Sequence, residues 1–396
     1  MNHRLGLLPL VAALLVACLW APEAAAYPWM IRHGYAGCAT CHSDPSGGSL
    51  LTPYGRAQSE LLLSTRWGSK PAEEPSRYSQ QLFGVPLPEA VLVGVDARNG
   101  YLGSFASGEL VDHRFLTMRE DVSAEVRIQR VRVHGSLGYS RPASALLSQR
   151  AWVTPAAPWG NLVSREHWIG VDLGSRLLLR GGRLMQPFGV RTIDHTLWAR
   201  SETETDTNQA QQHGVALAYD AARLRVEGMA ILGNFQVSPD AYRERGFAGY
   251  LELYPGEGWS IGASAKATHA ATDLLLRTAT TREAYGLMGR YRPVRLLVLT
   301  GEVDALLVHA ESHESAELGH VSLLQADLEL TPGVHLLGAG ETTSAGDGAG
   351  MAFGGWLGAW WFPIAHTDVR VDFITRTLPG SSASNQTLLF QGHIYL

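Results

Sequence analysis

The stretch best equipped for chemistry is Cys38-Ala39-Thr40-Cys41-His42. Two thiols at this spacing with an imidazole directly after the second form C-x-x-C-H, the attachment signature of haem c. The spacing has a physical reason. Two thioethers hold the porphyrin's vinyl positions, and the adjacent imidazole then swings under the ring to ligate the iron. This assigns Cys38 and Cys41 to one covalently bound haem c and His42 to the proximal side of its iron. Cys18 is the one other cysteine among 396 residues. As a disulfide, Cys38 and Cys41 would close almost no loop, so they are a poor staple. A thioredoxin-like redox pair asks for a βαβ context, which Gly37, Asp44, Pro45, Gly47 and Gly48 do not supply. A zinc site asks for a second Cys or His pair nearby.

The sixth iron position has two local candidates. His33 is the nearest histidine and Met30 the nearest methionine. A second histidine lowers the reduction potential, and a thioether raises it. A more distant ligand or an open site are the alternatives, and an open site would admit small ligands or peroxide.

These residues follow an export signal. Residues 1–26 carry a basic start with Arg4, an apolar run and the small-residue stretch Ala24-Ala25-Ala26. That pattern predicts a secretory peptide cleaved before Tyr27. The alternatives are a retained anchor and lipidation at Cys18, after Leu15-Val16-Ala17. Residues 27–64 form the haem segment. Within it Thr52 is placed to cap a helix with Pro53 at its first position. Tyr54, Ala57, Leu61 and Leu62 would share one face of that helix, so Tyr54 and Leu51 are expected to pack on the haem. Residues 65–85 are polar and Pro-rich at their start, and read as a linker.

From residue 86 to 396 the texture is alternation. Val122, Ala124, Val126 and Ile128 oppose Ser123, Glu125 and Arg127. The parity then flips to Val131, Val133, Gly135, Leu137 and Tyr139, as a two-residue hairpin at Gln129-Arg130 requires. The same period recurs around Leu224 and Val226, around Leu324 to Leu330, around Val369 to Phe373, and from Leu388 to Leu396. About 14–18 such segments are present, with 16 the best guess. Apolar towards lipid and polar towards a wet lumen is the pattern of an all-β, transmembrane antiparallel barrel. A soluble β-sandwich or propeller is the alternative. A bilayer leaves no unpaired backbone group unpunished, so such a sheet must close.

The segment Ile31 to Ala57 resembles the N-terminal part of bacterial outer-membrane proteins that join a single c-type haem to a porin-like barrel. The matching residues are Cys38, Cys41, His42, Leu51, Pro53, Tyr54, Gly55 and Ala57. His33-Gly34-Tyr35 stands where that family has an aromatic-Gly step, and an Asp44–Ser49 insert is extra. Residues 181–191, GGRLMQPFGVR, are similar to a segment of phosphate-selective-type porins. The resemblance implies electron transfer at the outer membrane, with the haem on the periplasmic side or in the lumen. Its partners would be a periplasmic electron donor or acceptor protein, a further cytochrome, and outer-membrane lipid.

A net charge of −5 argues against a nucleic-acid partner. No nucleophile motif, phosphate loop or paired-carboxylate signature is present, so an electron carrier is expected rather than a catalyst. Two other readings stand beside it: a porin whose haem segment gates or senses, and a peroxidase-like haem enzyme with an open distal site. His309, His313 and His320 are spaced for a metal, with a solvated loop as the plainer reading. Arg180, Arg183 and Arg191, with Asp194 and His195, would favour anions at a constriction.

Overall fold

The computed structural model describes residues 28–396, apart from 36, 49, 70–72, 141–160, 193, 195, 378 and 382. The expected export signal, Cys18 and His195 therefore lie outside the described residues.

Alternation from residue 91 onward builds seventeen strand segments in one antiparallel sheet. The first half runs β1 (Val91–Ala106), β2 (Glu109–Ile128), β3 (Val131–Ser140), β4 (Asn161–Val163), β5 (His167–Asp172), β6 (Leu177–Leu184), β7 (Gln212–Ala221) and β8 (Leu224–Gly233). The second half runs β9 (Arg245–Gly256), β10 (Trp259–Ala270), β11 (Thr280–Val294), β12 (Leu297–Ala310), β13 (Glu317–Thr331), β14 (Val334–Ser344), β15 (Ala352–Trp361), β16 (Thr367–Thr377) and β17 (Ser384–Tyr395). Both β4 and β5 pair with β3, at Gly138↔Val163 and Gly135↔His167. They are two halves of one stave, interrupted at residues 164–166, so seventeen segments make sixteen staves. The ring closes where β17 pairs with β1 from Asp96↔Tyr395 to Ala106↔Asn385. The closed ring pairs its first and last staves, as a bilayer requires of a barrel.

The two faces differ as the sequence predicts. On β2, Val122 and Ile128 are 53% and 63% exposed on the outside, while Ser123 and Glu125 are buried inside. The hairpin falls where the parity flips, with Ile128↔Val131 paired and Gln129 at φ 56°. Apart from the two-residue turn between β1 and β2, the long connections lie at one rim of the barrel and the short turns at the other. Leu396 departs from the alternation. It is 1% exposed rather than outward, although its backbone continues the ladder and bonds to Val95 in both directions.

The lumen is not empty. Residues 28–64 fold inside it, starting with a 3-10 turn, Pro28–His33, against β11 and β12. Trp29, Met30, Ile31, Cys41 and Leu63 form one apolar cluster with Val298, Leu337, Trp360 and Phe362 of the wall. From the long-connection rim, residues 185–211 also turn inward. Their short helix Trp198–Ser201 packs on β12, β13 and β14, across the lumen from β6. Arg200 pairs there with Glu302, and Glu341 accepts the Trp198 N–H at 2.9 Å.

Two expectations for the N-terminal half need correcting. Thr52 does cap the helix Pro53–Gln58, its Oγ1 accepting the Gly55 N–H at 3.1 Å. The chain then passes into a π-turn, Ser59–Leu63. The wider turn breaks the 3.6-residue period, so Tyr54 is exposed while Leu63, not Leu61 or Leu62, is fully buried. Residues 65–85 are also no free linker. Thr65 N–H donates to Phe362 O at 2.8 Å, and Trp67 meets Trp361 edge-on at 4.8 Å. A helical turn, Arg77–Gln80, seals the short-turn rim. Its Ser79 carbonyl accepts from His366 Nε2 at 2.9 Å.

Candidate functional site

The Cys38–His42 stretch is a single helical turn. Cys41 N–H and His42 N–H both reach Cys38 O, at 3.2 and 2.9 Å. The chain then reverses. Ser43 N–H donates to Leu50 O and Thr52 N–H to Cys41 O, each at 2.9 Å, which places Leu51 beside His42. The Asp44–Ser49 insert makes the reversal. Asp44 Oδ1 accepts from Ser46 N–H at 2.6 Å, and Gly47 turns at φ 88°. A Cβ on Gly47 would stand 3.1 Å from Cys38 Sγ, so the insert folds closely over that cysteine.

The insert also orients the imidazole, which no sequence signal announced. His42 Nδ1 lies 2.7 Å from Gly48 O. A carbonyl only accepts, so the proton sits on Nδ1 and the lone pair on Nε2. Proximal histidines are commonly fixed this way. Burial pushes the His42 pKa down, against the Gly48 bond, which works to raise it. A neutral imidazole is the form that ligates. Burial, with Cys38 beside it, pushes the Cys41 thiol up to about 12. Both cysteines stand as free thiols.

A narrow space of about 100 Å³, continuous with solvent, opens beside this turn. Cys38, His42 and Leu51 line it from the N-terminal segment. Asp96, Arg98, Arg119 and His393 line it from the wall, and Met185 and Arg191 from the inward loop. Cys41 faces the apolar cluster instead. Glu166, at the interruption between β4 and β5, adds a buried carboxylate whose two oxygens have no partner, and the Arg191 Nε is likewise orphaned.

Of the three guanidiniums around this space, Arg119 is paired with Asp96 and Asp121 at 3.2 and 2.8 Å, while Arg191 keeps an orphaned donor that suits an acidic group. A haem seated here would have Cys38 at its edge and His42 at its face, and its second thioether would require Cys41 to turn out of the apolar cluster. Among the described residues no group of three His, Cys, Asp or Glu is gathered for a bare metal ion.

The other expected residues fall elsewhere. His33 pairs with Glu329 at 3.3 Å, and Met30 is 1% exposed in the apolar cluster; neither lines the cavity. Tyr54 does not line it either, and its hydroxyl meets the Tyr35 hydroxyl at 2.6 Å. The arginine group is divided. Arg180 is bound to Asp44 and Glu227, and Arg183 to Ser164 O and Gln236. Only Arg191 reaches the cavity, and Asp194 is held by Arg370 at 2.6 Å. His313 pairs with Glu317 at 3.1 Å, and His320 contacts Thr342 at 3.3 Å, so the three histidines form no site.

No protein-family model matches the chain, and no curated protein is found to be similar to it. Solved structures do share its fold. OmpT of Vibrio cholerae aligns with a TM-score of 0.57 at 12% identity, over 79% of this chain and all of that one. An anion-selective porin from Comamonas acidovorans gives 0.57 at 12% identity, over 77% of this chain and 99% of its own. OprB of Pseudomonas putida gives 0.57 at 7% identity, over 85% of this chain and all of its own. At such identities the likeness is one of fold: the chain is built as a closed, sixteen-stave barrel of the outer-membrane porin type.

Proposed function

We propose that this protein is an outer-membrane redox carrier: a porin-type barrel that houses one haem c in its lumen for electron transfer with a periplasmic partner. One observation carries the reading. The C-x-x-C-H turn sits inside the barrel with its imidazole tautomer fixed for ligation, against a narrow cavity edged by guanidiniums. A bound haem would supply one-electron chemistry. The chain's own residues do the rest. His42 offers Nε2, with Gly48 O fixing its orientation. Arg98 and Arg191 would offset acidic tails, and the barrel wall keeps lipid away. The short-turn rim, which carries both the N-terminal segment and the end of β17, is the periplasmic side in this reading. A lumen position shortens the distance to a partner on either side of the ~30 Å hydrocarbon layer.

A second reading keeps the barrel as a channel and makes residues 28–64 its gate. The porin-type fold favours it.

The test is the full-length protein, expressed in a host competent for haem attachment and purified from outer membranes. Haem staining on a denaturing gel and oxidised and reduced visible spectra are recorded. Covalent haem in the wild type, lost in Cys38→Ala and His42→Ala, supports the carrier. No covalent haem, with solute-dependent conductance in planar bilayers, overturns it in favour of the gated channel.

A further inference from the structure

We infer that Met185 supplies the sixth iron ligand, through its Sδ; this rests on the haem reading above. Among the described residues Met185 is the one methionine on the cavity wall, and it comes from the inward loop rather than from the segment that carries His42. The site would therefore be closed from two independent parts of the chain.

Elimination and placement point the same way. Met30 and His33 do not line the cavity. His393 does, but Asp96 and Asp368 hold its two nitrogens, at 3.0 and 2.8 Å. To ligate, it would have to leave a buried carboxylate without its partner, a cost of several kcal/mol by the usual measure of broken buried pairs. The thioether of Met185 gives up much less. The Gln211 amide donates to Sδ at 3.7 Å, a weak bond to a poor acceptor.

The position of Met185 is also fixed. It follows Leu184, the last residue of β6, which pairs with Gln212. Its side chain is 7% exposed, and the chain beyond it is held by Gln186, whose Nε2 donates to Ala210 O at 2.6 Å. A ligand anchored at a strand end keeps its geometry better than one on a free loop. A neutral sulfur adds no charge to a cavity that already holds Asp96, Glu166 and three guanidiniums. A His–Met pair gives a higher reduction potential than a His–His pair.

The experiment compares the wild type with Met185→Ala, Met185→Leu and Met185→His, and with Met30→Ala and His33→Ala. All are full-length and purified from outer membranes. Heat-modifiable migration on a gel checks the barrel, and haem staining checks attachment. The readouts are the spin state, the weak red charge-transfer band of a thioether–iron bond, carbon monoxide binding to the reduced form, and the midpoint potential.

The wild type is expected to be low-spin with that band. Met185→Ala and Met185→Leu should keep covalent haem, lose the band, turn high-spin and bind carbon monoxide. Met185→His should return to low-spin at a lower potential. Met30→Ala and His33→Ala should match the wild type. A Met185→Leu protein that keeps the wild-type spectrum overturns the assignment and leaves the haem standing. So does loss of the band in Met30→Ala, or a low-spin wild type that has no such band. A wild type without covalent haem removes the haem and the ligand together.

Discussion

At the scale of single residues, the chemistry of the N-terminal segment depends on charges the wall supplies. Asp44 is buried, and burial alone works to raise its carboxyl. Arg180 and the Ser46 N–H more than offset this and hold it down, at about 2. An unfolded aspartate titrates near ~3.9. The folded pKa is the lower one, so the stabilisation is complete above that value and is lost as pH falls through about 2. Arg180→Gln strands Asp44 without its counter-charge. The expected loss is about 3–5 kcal/mol, the usual cost of breaking a buried pair. Denaturant unfolding followed by protease cutting within residues 28–64 measures it. A cost under ~1 kcal/mol, typical of exposed pairs, would mean the pair does not anchor the segment. None of this was legible from the sequence. C-x-x-C-H is readable because its chemistry is contained in five neighbouring positions. Asp44 and Arg180 meet only once the barrel has closed, and nothing in either local stretch names the other.

At the scale of elements, what was legible follows from what is local. The period-2 alternation, the hairpin at Gln129-Arg130 and the Thr52 cap depend on neighbours within a few positions, and each is found where the sequence puts it. The face of the following helix was misread because the π-turn at Ser59–Leu63 changes the period without a sequence mark. Close approach fixes where that helix can sit. A Cβ on Gly55 would stand 2.2 Å from Cys41 O, backbone against backbone. Gly55→Val is therefore expected to push the helix off the C-x-x-C-H turn. Covalent haem per barrel should fall several-fold on stained gels, while heat-modifiable migration stays normal. Full haem loading in Gly55→Val would show that the helix tolerates displacement.

The Arg77–Gln80 turn gives a pH dependence. His366 Nε2 donates to Ser79 O, and its Nδ1 is buried without a partner. Burial brings the His366 pKa down to about 4, from an ordinary value near 6.5. Between those values the unfolded form binds the extra proton and the docked form does not. Docking is thus full above pH ~6.5 and weakens as pH falls towards ~4. Hydrogen exchange over residues 76–81 should quicken as pH drops through that window, after correction for the intrinsic rate. His366→Gln should flatten the dependence. An unchanged corrected rate from pH 7 to pH 5 would remove His366 as the responding group.

At the scale of the whole molecule, the barrel and its contents set opposite expectations for transport. Sixteen staves enclose a lumen wide enough for a water-filled channel. Here that lumen holds residues 28–64 from one end and residues 185–211 from the other. The N-terminal segment is tied to widely separated staves. Arg32 pairs with Asp327 and Glu329 of β13, Asp44 with Arg180 of β6, and Arg56 donates to Val93 O of β1 at 2.6 Å. Anchors spread around the ring resist tilting in every direction, so the segment should block flow rather than flap. The wild type in planar bilayers is therefore expected to conduct far less than an open porin of the same strand number. The double variant Arg32→Ala/Arg180→Ala cuts anchors on two sides. It should show transient large openings in a barrel that still migrates as folded. A large, steady wild-type conductance would mean that ions pass beside the segment. The proposed haem would then be exposed to the same water, and an insulated housing would no longer explain why the barrel is there.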